Sequence, residues 1–329
     1  MRAMTCHQWG AIESLVLESD RPRPEPGDDE VLIDVRATAV NYADSIMVAG
    51  NYQTKPPFPF SPGLETAGRV RAIGRAVTNV KVGDRVMAIL AYGGFAEQAI
   101  AKAQETYPLP ENMSWREAAA FPIAYLSSDV ALRWLARLEP NETLLVLGAA
   151  GGVGLTSVEI GKAMGAKVIA AASTPEKLAA AESRRADALI NYQVEDLKAR
   201  VNEITAGAGA DVCFDPVGGE LFNPALSSLG WGGRMLLIGF VGGIPNIPAN
   251  RLLVKNRAAF GSSLRHFRWN EPDKLRRSVH ALLDWYNDGK LKPLVTHEVP
   301  LERAVDALRL LTERRAHGRV LVVVSDLDD

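Results

Sequence analysis

The chain has 329 residues, of which 47% are hydrophobic and 23% charged, as in soluble globular proteins of about two domains. Its 37 basic and 39 acidic residues leave a net charge of −2, which argues against nucleic-acid and membrane-surface partners. The first residues lack the apolar run of a signal peptide, and two cysteines cannot build a disulfide framework, so the sequence predicts a cytoplasmic protein.

Short strands and turns are predicted from the start to about Phe121. Val31, Ile33 and Val35 recur at every second position of EVLIDVRATAV, and VGDRVMAIL is a further short run that opens on a turn. Such alternation is typical of a β-rich unit. SWRE then forms the capping box of a helix, which a proline at position 122 is expected to kink or split.

Strands and helices alternate after Asn141. The apolar runs TLLVLG, AKVIAAA, ALINY, ADVCFDPVG and RMLLIGF are separated by helical stretches, which predicts βαβ units and a buried parallel sheet. From about Ala258 the pattern changes again, to two amphipathic helices, KLRRSVHALLDWYNDG and LERAVDALRLLTERR, and a closing strand, RVLVVVS.

A glycine-rich turn follows the first of these parallel strands. The segment AAGGVG, residues 149–154, matches the dinucleotide fingerprint with alanine in place of the first glycine. Gly151 would let the backbone approach a pyrophosphate, and Gly154 would let the helix pack closely on the strand. A tight structural turn is the alternative, but a strand before the turn and a helix and second strand after it favour a cofactor site.

No carboxylate ends the second strand, where an NAD site usually places Asp or Glu for the ribose 2′-hydroxyl. Ser173 stands there instead, Lys177 follows one helical turn later, and Tyr192 ends the next strand. A hydroxyl and an ammonium suit a 2′-phosphate, which a carboxylate would repel, so the sequence predicts NADPH. The alternative is that Lys177 is only a solvated helix residue.

Several stretches together resemble one family: NYADSIMVAGNY, FPFSPGLETAGRVRAIG, VGDRVMA, GAAGGVG and GFVGGIPNIPANRLLVKN. Along essentially its whole length the chain resembles zinc-independent medium-chain dehydrogenases/reductases of the NADPH:quinone oxidoreductase (zeta-crystallin-like) branch. The resemblance implies an α/β fold with a Rossmann-type, doubly wound parallel-sheet domain and a GroES-like β-rich catalytic domain. It implies a first catalytic part at 1–122, the NADPH domain at 123–258, and a return to the catalytic domain at 259–329. It also implies a cofactor cleft between the domains and a homodimer formed through edge strands.

The resemblance also implies roles for individual residues along the cofactor. The pyrophosphate would lie on the turn formed by Ala150, Gly151, Gly152, Val153 and Gly154. The 2′-phosphate would lie beyond the second strand, at Ser173, Lys177 and Tyr192. The nicotinamide would lie beside Gly239, Phe240 and Val241, which follow the last parallel strand, and beside the hydroxyl of Ser127. Arg315 is a further candidate for a cofactor phosphate, the alternative being an arginine at a helix end that stays in solvent.

Asn41 and Tyr52 are the catalytic candidates that the resemblance implies. Asn41 could donate a hydrogen bond to the substrate carbonyl, or could merely fix a turn. Tyr52 could bind that carbonyl or supply a proton, or could be an aromatic wall. Asp44 and Glu65 are nearby supporting or structural positions.

The zinc ligands of related alcohol dehydrogenases are replaced in this sequence. NYADS replaces the cysteine-bearing segment, and PGLE replaces the Gly-His-Glu segment. The five histidines are scattered outside both segments. Since zinc needs three or four ligands held together, no metal is expected. Quinones and conjugated enones accept hydride readily without a Lewis acid, so positioning and hydrogen bonding can suffice for them.

Three functions follow as hypotheses. The leading one is an NADPH-dependent quinone reductase acting on a small-molecule substrate. The second is an enone, 2-alkenal or enoyl-thioester double-bond reductase on the same fold. The third is a non-catalytic NADPH-binding protein, crystallin-like or RNA-binding, although the balanced charge counts against RNA.

Overall fold

The computed structural model describes residues 1–327, which pack into two compact units. Unit 1 comprises residues 1–123 and the described residues from Pro293 onward, and unit 2 comprises residues 124–292. The strands, numbered along the chain, are β1 Ala3–Thr5, β2 Val16–Glu18, β3 Glu30–Ala39, β4 Glu65–Ile73, β5 Arg85–Ile89, β6 Gln98–Lys102, β7 Thr106–Pro108, β8 Thr143–Leu147, β9 Lys167–Ala172, β10 Ala188–Asn191, β11 Ala210–Asp215, β12 Leu229–Leu237, β13 Ala258–Gly261, β14 Val295–Pro300 and β15 Arg319–Val323.

The α-helices are numbered in the same way. They are α1 Tyr42–Val48, α2 Trp115–Ala120, α3 Pro122–Asp129, α4 Gly152–Ala163, α5 Pro175–Glu182, α6 Leu197–Ile204, α7 Phe222–Ser228, α8 Ala249–Leu253, α9 Leu264–Asn270, α10 Pro272–Asn287 and α11 Ala304–Thr312. A π-helical segment, Val130–Ala136, continues α3.

Unit 1 is built on a seven-stranded sheet in the order β14-β15-β3-β4-β5-β7, with β6 paired to β3. The alternation in EVLIDVRATAV produces β3, because Val31, Ile33 and Val35 are all buried in the core of this unit. The capping box is confirmed: the Glu117 backbone N–H donates to Ser114 Oγ at 3.3 Å. The proline splits the predicted helix, since α2 ends two residues before it and α3 begins with it.

Unit 2 contains a six-stranded, fully parallel sheet in the order β10-β9-β8-β11-β12-β13. This is the doubly wound order, in which the chain winds outward from β8 in one direction and then from β11 in the other. Buried apolar side chains such as Leu145, Ile169 and Met235 form part of its core. Because parallel strands all end at one edge, the loops that follow them share that edge.

Compact unit 2 extends past residue 259, where the resemblance implies a return to the catalytic domain. β13 is the sixth strand of the unit 2 sheet, and the Trp134 indole N–H donates to Ser278 Oγ of α10 at 2.9 Å. These contacts keep the chain in unit 2 through Lys292.

Within residues 1–327, every helix is too short or too polar to cross a membrane.

Candidate functional site

The turn after β8 begins one residue earlier than the fingerprint indicates. Gly148 has a φ of +56°, the left-handed conformation that glycine adopts without strain, and its carbonyl oxygen accepts the Gly151 N–H at 2.9 Å. The tight-turn glycine is therefore Gly148. Ala149 occupies the first position of the fingerprint, and its N–H donates to Ala171 O of β9 at 3.1 Å. Its φ is not positive, so this position does not require glycine.

Gly151 and Gly154 occupy positions where space is limited. Gly151 is the N-cap of α4, so the helix begins directly at the turn. A Cβ on Gly154 would stand 2.2 Å from the Gly148 carbonyl oxygen, and one on Gly151 3.3 Å from the same atom. The backbone of Gly154 therefore packs directly against that of Gly148. The first backbone N–H groups of α4, a helix of 12 residues, remain available at its N-terminal end. Such an end binds phosphate groups.

Ser127 lies on α3, next to the residue that ties α3 to the glycine turn. The Ser128 hydroxyl donates to Val153 O at 2.9 Å and lies 2.8 Å from Thr156 Oγ1. Thr156 in turn donates to Ala124 O at 3.1 Å. No sequence pattern marks Ser128. Its hydrogen bonds hold α3, and with it half-buried Ser127, against α4.

Of the three residues predicted for the 2′-phosphate, Ser173 and Tyr192 directly follow neighbouring strands, and Lys177 lies in the first turn of α5. Lys177 Nζ is 3.4 Å from Ser173 Oγ, and the N-cap hydroxyl of Thr174 accepts the Lys177 N–H at 3.3 Å. Tyr192 directly follows β10, and its N–H donates to Ala172 O at 3.2 Å. A hydroxyl and an ammonium are thus adjacent where an NAD site would carry a carboxylate.

The loops after β11 and β12 are tied to each other. Asp215 ends β11 fully buried, and its Oδ1 accepts the N–H groups of Val217 and Gly218 at 2.8 Å each. Gly242 N–H donates to Val217 O at 2.7 Å. These bonds fix the segment holding the predicted nicotinamide residues Gly239, Phe240 and Val241. Asp215, an acid ending an apolar strand, is a signal that the sequence analysis passed over.

Asn41 is held in a buried polar network of unit 1. Its Nδ2 donates to Glu65 Oε1 at 2.8 Å and, more weakly, to Ala39 O at 3.4 Å. Its Oδ1 accepts from both terminal nitrogens of Arg319, at 3.2 and 3.3 Å. Arg319 also pairs directly with Glu65, whose other oxygen accepts the Ile123 N–H at 2.8 Å. The carboxamide is therefore fixed in one orientation.

Asp44 supports the same network from α1. Its Oδ2 accepts the Asn41 N–H at 2.7 Å and its Oδ1 accepts the Gly63 N–H at 3.2 Å. Burial raises the pKa of Asp44 to about 7, despite these two bonds. Burial also raises the pKa of Glu65, against which the charge of Arg319 acts in the opposite direction. Both acids serve as structural partners of Asn41, and Arg319 is the partner that sequence analysis missed.

Tyr52 follows α1 and packs, half-buried, against the core of unit 1. An aromatic cluster of the same unit combines Trp9, Phe58 and Phe60, with ring centroids 4.4 to 5.7 Å apart. Its edge is Tyr92, 6.2 Å from the Phe60 ring and partly exposed.

Arg315 lies beyond α11 on the surface of unit 1. Its Nη1 donates to Glu313 Oε2 at 3.0 Å, and two-thirds of its side chain is exposed. This is the environment of a solvated helix-end arginine, and a cofactor role for Arg315 stays a prediction.

Helix α4 carries a buried acid that the sequence analysis did not single out. The Tyr125 hydroxyl donates to Glu159, Arg184 Nε stands 3.3 Å from Glu159 Oε1, and the Lys292 N–H donates to that oxygen at 3.1 Å. Burial raises the pKa of Glu159 to about 7.

The residues where zinc ligands would stand have other partners. The Asn41 and Glu65 side chains bind each other and Arg319, and both cysteines are buried elsewhere. Among residues 1–327, histidine, cysteine and acidic side chains form no group of three or more that could hold a metal ion. The donor set in this place does not fit zinc.

Comparison with known proteins gives matches to both units. Residues 27–111 match the profile of the alcohol dehydrogenase GroES-like domain, and residues 152–284 match the profile named zinc-binding dehydrogenase. With the parallel sheet of unit 2, the first match confirms the predicted fold class: a GroES-like domain and a Rossmann-type domain.

Relatives are similar along almost the whole chain. The quinone oxidoreductase-like protein 2 homolog of Nematostella vectensis is 37% identical over 98% of this chain and 88% of its own length. The structure of Escherichia coli quinone oxidoreductase complexed with NADPH is 29% identical, with a TM-score of 0.91 over 98% of this chain and 100% of that one. The quinone oxidoreductase of Thermus thermophilus, also known in complex with NADPH, is 34% identical with a TM-score of 0.85 over the same shares.

Proposed function

This chain belongs to the zinc-independent quinone oxidoreductase family of medium-chain dehydrogenases/reductases, and from that premise we propose that it reduces quinones with NADPH. The family accounts for the oxidoreductase class, and the residues of this chain support the two finer points, the cofactor and the acceptor. When bound, NADPH supplies the hydride from its reduced nicotinamide.

The adjacent Ser173 and Lys177 carry the proposal for NADPH. Their hydroxyl and ammonium, 3.4 Å apart, offer hydrogen bonds and a positive charge to a 2′-phosphate. Tyr192, at the end of the neighbouring strand, would complete that side. An NAD site would instead need a carboxylate at the end of β9. The quinone oxidoreductases of Escherichia coli and Thermus thermophilus, both known in complex with NADPH, support the same assignment.

The glycine turn would hold the pyrophosphate. Gly151 and Gly152 would present backbone N–H groups at the N-terminal end of α4, where the helix dipole favours anions. Ala150 and Val153 complete the turn, and Gly154 keeps α4 against the strand. Gly239, Phe240 and Val241 would line the nicotinamide with small or apolar surfaces, and the Ser127 hydroxyl would lie near its carboxamide.

Asn41 would position the acceptor. One N–H of its carboxamide is committed to Glu65, whereas the other makes only a long hydrogen bond of 3.4 Å that a substrate carbonyl oxygen can replace. Because Arg319 binds the amide oxygen, the amide cannot flip and must present N–H groups. Tyr52 would then hydrogen-bond the second oxygen of a quinone or deliver its proton.

A homodimer would use the free edge of the unit 2 sheet. β13 is an outer strand with exposed Phe260, and the preceding Leu253 is 78% exposed. An exposed edge strand beside apolar side chains is a ready surface for pairing with a second copy. Sedimentation velocity of the purified chain tests this, with a monomer at all concentrations as the contrary result.

The direct test is oxidation of NADPH and of NADH at 340 nm against an acceptor panel. The panel holds 1,4-benzoquinone, 9,10-phenanthrenequinone, a 2-alkenal, a crotonyl thioester and a simple ketone, each with and without a chelator. Turnover of quinones with NADPH, unchanged by chelator, is the expected outcome. Turnover confined to the alkenal or thioester would assign the protein to double-bond reductases. NADPH binding without any turnover would favour a non-catalytic protein.

Tyr52→Phe separates a hydrogen-bonding role from an aromatic wall. Loss of the hydroxyl should lower kcat for quinones about tenfold or more if it binds or protonates the acceptor. An unchanged kcat would make Tyr52 a wall residue. Tyr107→Phe on β7 is the matched control and should leave the kinetics unchanged.

A further inference from the structure

The surface of unit 2 has an open cavity of about 520 Å³ whose lining is strongly basic. Four cationic side chains border it, Lys198 on α6, Arg251 on α8, and Lys255 and Arg257 before β13. Asn202 and Ser227 add an amide and a hydroxyl, and the lining includes no acidic residue. The volume lies within the range of about 300–1,000 Å³ that is typical of small-molecule sites.

The cavity, here called the basic cavity, lies at the opposite edge of the sheet from the proposed cofactor residues. Gly207 precedes β11, Ser227 precedes β12, and Arg257 is the residue directly before β13. These are the amino ends of parallel strands. The glycine turn, Ser173 and Tyr192 all follow the carboxyl ends. The basic cavity is therefore separate from the dinucleotide site.

The four cationic side chains of the basic cavity form no ion pairs with carboxylates within residues 1–327. Arg200, only two residues after Lys198, shows the contrast, since it pairs with Glu195 at 2.8 Å and also with Glu203. Like charges that converge on one cavity repel each other, and an anion between them would relieve that repulsion.

Arg257 is the most informative of the four because only 9% of it is exposed. Its Nε donates to Gly230 O, and its Nη2 donates to Ser227 O and Leu229 O, where α7 ends. The hydrogen bonds of Nε and Nη2 are those of a side chain that caps the end of a helix. The third nitrogen, Nη1, makes no hydrogen bond in the described structure. Burial lowers the pKa of Arg257, and the nearby charge of Arg251 lowers it further.

Arg251 is also oriented rather than loose. Its Nη1 donates to Ser227 Oγ at 3.0 Å and lies 3.5 Å from Asn223 O and Oδ1. Two guanidinium groups are thus fixed at one cavity by neutral partners alone. Such groups bind phosphate oxygens through paired N–H donors.

We propose that the basic cavity binds a small molecule carrying two or more phosphate groups. A single phosphate carries at most two negative charges near neutral pH, too few for four cations, whereas a di- or triphosphate matches them. The amide of Asn202 can bond the remaining oxygens or a sugar.

Calorimetric titration with tripolyphosphate tests the proposal. The full chain is first saturated with NADPH, so that the dinucleotide site is filled, and ionic strength is held constant. One tripolyphosphate should bind per chain. Lys198→Glu and Lys255→Glu should each weaken binding about tenfold or more, because each replaces an attraction with a repulsion. Lys198 is exposed and Lys255 is half-buried, and a thermal melt of each variant checks that it folds like the wild-type chain. Lys81→Glu, an exposed lysine of unit 1, carries the same charge change and should leave binding unchanged.

Three results would overturn the proposal. The first is the absence of tripolyphosphate binding to the NADPH-saturated chain. The second is equal affinity in the wild-type chain and in Lys198→Glu and Lys255→Glu. The third is tighter binding of a single-stranded RNA oligonucleotide than of tripolyphosphate, with the same sensitivity to both variants, which would make the cavity part of a nucleic-acid surface. None of these readouts depends on quinone turnover, so the proposed function stands or fails separately.

Discussion

Arg319, the first residue of β15, and Glu65, the first residue of β4, form an ion pair that is almost completely withdrawn from solvent in unit 1. Their side chains are 7% and 0% exposed, and both bind Asn41. A buried pair adds little net stability, but removing one partner leaves an uncompensated charge in a low-dielectric interior. The ion pair therefore holds the Asn41 side chain in one orientation. Its contribution can be tested by measuring the free energy of unfolding.

Arg319→Met should lower the free energy of unfolding by about 3–5 kcal/mol, because Glu65 then remains buried without its partner. Urea denaturation followed by circular dichroism measures the change. Arg309→Ala is the matched control, since Arg309 pairs with Glu13 at an exposed surface and its substitution should leave the free energy of unfolding almost unchanged. Equal midpoints for Arg319→Met and wild type would show that Glu65 does not depend on Arg319 to compensate its buried charge.

Sequence patterns predicted those features that depend on near neighbours in the chain. The alternation around Val31 predicted β3, and the glycine pattern near Gly151 predicted the turn between β8 and α4, because each pattern lies within one short stretch of chain. The partner of Glu65 could not be predicted in this way. Arg319 lies 254 residues further along the chain, and nothing in the run RVLVVVS indicates which strand it will join.

The extent of unit 2 could not be predicted from the sequence for a related reason. The stretch after Ala258 changes from strand–helix alternation to long amphipathic helices, which indicates a new environment but not which core covers them. β13 pairs with β12, and α10 bonds to Trp134, so the apolar face of α10 is covered within unit 2. Pairing of this kind is decided by tertiary contacts rather than by periodicity.

Stability should fall as pH rises toward neutrality. Burial raises the pKa of both Asp44 and Glu159 to about 7, whereas an unfolded carboxyl titrates near pH 4. Between these values the folded state holds protons that the unfolded state has released. The contribution of each group is therefore complete below about pH 4 and is lost as pH rises through about 7. The loss for each is on the order of 3–4 kcal/mol.

Glu159→Gln should flatten that decline, because a neutral amide has no charge to bury at any pH. Urea unfolding at about pH 5 and pH 8 measures the slope, and the part that remains is assigned to the other buried acids whose pKa burial raises, Asp44, Glu65 and Asp215. Glu182→Gln, on exposed α5 surface, should keep the wild-type slope. A slope as steep in Glu159→Gln as in wild type would mean that Glu159 is ionised in the folded state at neutral pH.

Cofactor choice should depend on Lys177. Lys177→Ala removes a charged hydrogen bond and should raise the KM for NADPH about ten- to a hundredfold, leaving the KM for NADH nearly unchanged. Ser173→Asp should go further and reverse the preference, because a carboxylate repels the 2′-phosphate and accepts from a ribose hydroxyl. Lys167→Ala, at the other end of β9, is the control. If both cofactors suffered equally in Lys177→Ala, the assignment of the 2′-phosphate to this residue would be wrong.

Gly154→Ala should disable the glycine turn, because the new Cβ would stand 2.2 Å from the Gly148 carbonyl oxygen, a backbone atom that cannot rotate away. Relief requires α4 to shift from β8, and overpacking of this kind costs about 1–3 kcal/mol. The shift also moves the amides at the start of α4, so NADPH binding, followed by quenching of protein fluorescence, should weaken about tenfold or more. Gly261→Ala in β13 is the matched control, since its Cβ meets no atom within 4 Å and its backbone is not left-handed. Wild-type stability and NADPH affinity in Gly154→Ala would show that the close approach of α4 to the strand is not required.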